Sequence, residues 1–112
     1  MVILILMKIN KGKKTMEKIT LKFVDNQSHG YIQISQYDLA SWNIDIKQFS
    51  SYSFYNQNNG CYYLEEDCDG SRLNTILKSK GYQINYKTNN VPLNYMQDPI
   101  FERINNNQTK GN

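Results

Sequence analysis

Glu65, Glu66, Asp67 and Asp69 stand in one five-residue stretch with Cys68 among them, four of the ten acidic residues in a chain of 112. Residues of these types at this spacing could do several kinds of chemistry. Carboxylate oxygens hold hard cations, paired carboxylates exchange protons, and a thiol can act as a nucleophile. The same acids could also form a docking patch for a basic partner, or the negative cap of a helix.

The chemical readings meet obstacles in the sequence. Strand alternation sends Glu65 and Asp67 to one side and Glu66 to the other, so the carboxylates converge only if the chain turns at Asp67. Glu66, Asp67 and Asp69 could then approach magnesium or calcium, but such sites usually gather more oxygen ligands. A thiolate at Cys68 is disfavoured by the surrounding acids, the reverse of activation. Cys61 and Cys68 lie seven apart with no CxxC pair for zinc. His29 is the single histidine, in turn-like surroundings before Gly30. A Cys68–His29 pair is conceivable because both flank strand ends, yet nothing in the spacing demands it. With no Ser-His-Asp pattern, P-loop or GxGxxG, neither enzyme activity nor a cofactor or metal is expected.

Nine tyrosines are the other conspicuous feature. Tyr52, Tyr55, Tyr62 and Tyr63 fall on two neighbouring strand-like segments, so some should stand together on an open sheet face. Exposed aromatics can stack nucleobases, but that use calls for Lys and Arg nearby, and residues 48–66 contain neither. A protein partner suits Tyr better, with the acidic rim steering toward a basic surface. Tyr52, Tyr55, Tyr62, Tyr63, Glu65, Glu66, Asp67 and Asp69 are therefore the expected partner-binding residues. Simple core packing of the tyrosines is the plain alternative.

The elements that must position these residues follow from period and punctuation. In "KITLKFVD" Ile19, Leu21 and Phe23 share a face, and in "HGYIQIS" Ile32 and Ile34 do. These are half-buried strands, joined as a hairpin through the turn residues of "DNQSHG". Ser35 with Asp38 has capping-box spacing and opens a short helix carrying Leu39 and Trp42. A second hairpin places Tyr52 with Phe54 and Tyr62 with Leu64, around Asn59-Gly60. Asp69 or Ser71 can cap the next helix, in which Leu73, Ile76 and Leu77 make one face and Gly81 closes the end. "YQINYK" is a fifth strand, its pattern fading after Thr88 into an Asn-rich segment with a short helix expected over 98–104. The order β-β-α-β-β-α-β predicts one α+β domain over 16–88, its sheet of about five mainly antiparallel strands with both helices on one face.

Charge is divided along the chain. Lys8, Lys11, Lys13, Lys14, Lys18 and Lys22 face only Glu17 and Asp25 in the first 25 residues, whereas the remainder carries seven bases and eight acids. A near-neutral folded part weakens a phosphate-binding reading. The apolar run Val2–Met7 is too short to span a membrane, and Lys8 follows rather than precedes it, the wrong order for a signal peptide. A cytoplasmic protein with reduced thiols is expected. The stretch Lys11 to Thr15 can be encoded as a purine-rich ribosome-binding site ahead of Met16. Residues 1–15 are accordingly expected to lie outside the core, the alternative being an edge strand over Val2–Ile9.

His29-Gly30-Tyr31, Ser51-Tyr52-Ser53-Phe54 and Tyr63-Leu64-Glu65-Glu66-Asp67-Cys68-Asp69 together resemble a family of small phage- and plasmid-borne proteins with an HGY…YSY…YLEEDCD signature. The likeness covers about residues 29–77, and its last motif is the specific part. Phe54 stands where a Tyr is usual, and Gly70 follows Asp69, so the start of the following helix is expected to differ. The resemblance implies a mobile-element setting, in which small acidic-patched domains block restriction or CRISPR nucleases. An inhibitory interaction module with a basic protein partner is the resulting expectation. A small nucleic-acid-binding regulator using the tyrosine face and N-terminal lysines is the alternative.

Overall fold

The computed structural model describes residues 17–105, so the expectations for residues 1–15, and for the part of the Asn-rich segment beyond Asn105, lie outside the described residues. The described residues build one six-stranded sheet in the order β5-β1-β2-β4-β3-β6. Its strands are β1 (Glu17–Asp25), β2 (Gly30–Ser35), β3 (Phe54–Asn56), β4 (Cys61–Glu65), β5 (Tyr82–Asn90) and β6 (Phe101–Arg103). Helix α1 (Gln36–Ser41) follows β2, and α2 (Ser71–Ser79) follows β4. An α+β domain with two helices is what the periodicity predicts; the sheet has one strand more.

Both expected hairpins form. Asn26 closes the first turn by accepting from the backbone N–H groups of Ser28 and His29 at 3.0 and 2.7 Å. Ser35 caps α1 by accepting from Asp38 N–H at 3.0 Å. Gly81 ends α2 with φ of 97°, a conformation that suits a residue without Cβ. The pair β1–β5 is parallel and in uninterrupted register from Glu17↔Tyr82 to Asp25↔Asn90. All other pairs are antiparallel.

Alternation gives the sheet two faces, each carrying a buried cluster. Leu21, Ile32, Ile34 and Leu64 meet Leu39 of α1 and Leu73 and Leu77 of α2 on the helix side. Trp42, Ile76, Ile19 and Phe23 pack half-buried around that cluster. On the other side Val24, Tyr31 and Tyr63 are covered by Val91, Met96 and Phe101.

This second layer corrects the reading of the C-terminal segment. β5 continues past Thr88 to Asn90, and Val91 N–H then bonds Asp25 C=O at 2.9 Å. No helix spans 98–104. Asp98 instead holds a tight turn, its carboxylate accepting from Ile100 N–H at 3.0 Å, and β6 pairs with β3. Phe101 goes into the cluster beneath Tyr63, and Ile104 goes to the helix-side core. Burying large side chains on opposite faces suits an extended chain better than one helical turn. Residues 89–105 thus belong to the domain. Among the described residues no helix is long and apolar enough to cross a membrane.

Candidate functional site

Beyond Glu65 the chain does not pass straight into a helix. Glu66–Gly70 make a π-helical turn, with Glu65 as N-cap, its Oε1 accepting from Cys68 N–H at 3.0 Å. The expected caps are therefore displaced: Ser71 is already the first residue of α2, and Asp69 turns inward. Asp69 is 1% exposed. Its carboxylate accepts from Ser50 N–H at 2.9 Å, from the Ser50 hydroxyl at 2.8 Å and from the Ser53 hydroxyl. Ser53 Oγ in turn accepts from Glu65 N–H at 2.9 Å. A buried carboxylate needs such partners, and the set ties the loop before β3 to the turn after β4.

That loop carries Tyr52, 65% exposed, whose N–H bonds Ser50 Oγ at 3.2 Å. Tyr52 lines a groove of about 410 Å³ together with His29, Tyr31, Phe54, Glu65, Asp67, Cys68 and Arg103. The register Tyr31↔Glu65 brings the first hairpin to one wall. Arg103 reaches the other side from β6, its guanidinium 4.7 Å from the Phe54 ring centre and donating to Ser51 C=O at 3.0 Å. Burial, and then the nearby Glu65 charge, push the Tyr31 phenol above its ordinary pKa, while Arg103 acts the other way.

The expected partner-binding residues separate. Tyr52, Glu65 and Asp67 share the groove. Glu66 lies on the opposite side, at a second hollow of about 340 Å³ beside Phe23, Ile32 and Tyr86. Tyr55 and Tyr62 are cross-strand partners with ring centres 5.0 Å apart, packed toward the helix-side core. Tyr63 is 1% exposed and meets the Phe101 ring edge-on. Desolvation pushes its phenol up to about 12, against a hydrogen bond from Asn59 Nδ2 at 2.9 Å. The tyrosines expected to share an open face are thus divided, Tyr55 and Tyr62 packing on the helix side and Tyr63 on the other, and of the four only Tyr52 is strongly exposed.

His29 and Cys68 do line one groove, yet no hydrogen bond joins them among the described residues. No group of three or more His, Cys, Asp or Glu side chains converges there as a metal site among the described residues. Sequence reasoning missed Tyr31, Phe54 and Arg103 as groove residues. The alternation of "HGYIQIS" against "CYYLE" could have placed Tyr31, whereas nothing local signals Arg103. Comparison with protein-family models, curated proteins and solved structures finds no match.

Proposed function

We propose that this domain is a non-enzymatic interaction module whose Tyr52 groove receives a basic side chain of a protein partner. One observation carries the reading: an exposed tyrosine, Tyr52, lines one groove with the aromatic rings of Tyr31 and Phe54 and with two carboxylates, Glu65 and Asp67. A Lys or Arg entering there would meet the Tyr52 and Tyr31 rings and the two carboxylates, beside Arg103, which already lies over the Phe54 ring. The described part carries eight bases against ten acids, a balance suited to a basic partner. A host-defence nuclease, the partner class implied by the phage and plasmid resemblance, has the basic surface this asks for.

The alternative of nucleobase stacking on the tyrosines draws no support from their positions, since Tyr63 is buried and Tyr55 and Tyr62 turn toward the helices. The test is capture of a partner from host lysate, followed by titration with Tyr52→Ala and Asp67→Lys. Each variant is expected to weaken binding at least tenfold, most strongly at low salt. A partner that binds both as tightly as the wild-type chain overturns the reading.

A further inference from the structure

The second sheet face is covered only in part. Val91, Met96 and Phe101 lie over Val24, Tyr31 and Tyr63, toward the end of β1 that carries Asp25. On the other half of that face alternation and register place Lys18, Thr20 and Lys22 of β1 beside Gln83, Asn85 and Lys87 of β5. All six are exposed. This half-face bears three lysines and no acid on its strands among the described residues; Asp38 of α1 stands at its margin, beside a hollow lined by Lys22 and Ser35.

This differs from an ordinary wet sheet face. Lys22 and Lys87 are register partners, so like charges occupy neighbouring strands about 4.8 Å apart, an arrangement that costs stability. The nearest acid of the cluster on this face, Glu65, is level with Val24 and two strands across, through Tyr31, toward the end of β1 away from Lys18.

We propose that this half-face binds the phosphate backbone of duplex nucleic acid without reading its sequence. Lysines supply the charge, and the amide and hydroxyl side chains between them are ordinary donors to phosphate oxygens. The duplex is preferred to a single strand because the six positions offer no aromatic ring on which unpaired bases could stack. The site is separate from the Tyr52 groove, so Tyr52→Ala is expected to leave duplex binding unchanged.

The experiment is fluorescence anisotropy of a short labelled DNA duplex with the full chain, over about 50 to 200 mM salt. Comparison is with Lys18→Gln/Lys22→Gln/Lys87→Gln, with the same three positions changed to Arg, and with Lys47→Gln/Lys78→Gln. The triple Gln variant is expected to bind at least tenfold more weakly, with a slope against log salt shallower by about 2 to 3, as three lost phosphate contacts require. It should melt no lower than the wild-type chain, because a repulsion is removed. The Arg variant and the Lys47/Lys78 variant should bind as the wild-type chain does. Absence of duplex binding at the lowest salt overturns the proposal, as does a folded triple Gln variant that binds normally. Competition by polyglutamate as effective as by unlabelled duplex also overturns it, assigning the face to an acidic protein instead.

Discussion

Ser50 gives both its backbone N–H and its hydroxyl to the carboxylate of Asp69, at 2.9 and 2.8 Å, across nineteen residues of chain. Among the acids of the cluster Asp69 is the buried one, and it acts as a tether rather than as surface charge. Through Ser50 and Ser53 it sets where Tyr52 stands.

Replacing Asp69 by Ala should therefore cost about 2–4 kcal/mol, because Ser50 N–H and two hydroxyls lose their acceptor inside the protein. Asp69→Asn keeps one acceptor oxygen and should cost about half as much. Urea unfolding measures both. An Ala variant within about 0.5 kcal/mol of wild type would show that the tether contributes nothing.

Gly30 opens β2 with no room for a side chain. A Cβ there would overlap the Phe23 ring and lie 2.6 Å from Glu66 Oε1. Gly30→Ala is expected to destabilise by about 1–3 kcal/mol, the usual range for overpacking. Thermal melting shows it, and a simultaneous Phe23→Leu change should recover part of the loss.

On the rim, charge and fold should come apart. Glu65→Gln keeps an oxygen able to accept from Cys68 N–H, and Asp67 is exposed, so neither Glu65→Gln nor Asp67→Lys should move stability by more than about 0.5 kcal/mol. Both should weaken the captured partner, Asp67→Lys more strongly because it reverses a charge, and added salt should narrow the difference. Circular dichroism and titration at two salt concentrations separate the two effects.

Alkaline pH should act through Tyr63. Its folded pKa is raised to about 12 by burial, while the unfolded phenol titrates near 10. Stability from this group is thus fully present below pH about 10 and declines toward pH 12 as the unfolded chain alone ionises, by at most about 1.4 kcal/mol per pH unit. Tyr31, Tyr62 and Tyr86 are shifted in the same direction and add to the decline. Tyr63→Phe should be less stable at neutral pH, losing the Asn59 bond, yet show a shallower loss between pH about 10 and 12. A variant with an unchanged alkaline slope would assign that loss to the other tyrosines.

Much of the local structure is legible without coordinates. The period-2 runs around Ile19 and Ile32, the Ser35 cap, the Leu73–Leu77 stripe and the Gly81 stop each rest on contacts within a few residues, and each appears where the pattern puts it. Alternation also separates Glu66 from Glu65 and Asp67, as their placement on different sides of the turn bears out.

The candidate site was only half legible for the same physical reason. That Tyr52, Glu65 and Asp67 are polar or amphipathic and near turns can be read from the residues themselves. That Asp69 points inward cannot, because its acceptors serve donors from a loop nineteen positions away. Arg103 joins the groove only because β6 pairs with β3, and Phe101 lies on that strand rather than on the expected helix, packed against Tyr63. The lysine face likewise requires β5 to lie parallel beside β1, a pairing between segments 65 residues apart in register. The sequence by itself determined the periods, caps and turns, since those depend on sterics and hydrogen bonds between near neighbours. Which strands became neighbours, and which polar groups were buried, was decided only when distant segments competed to cover the two faces of one sheet.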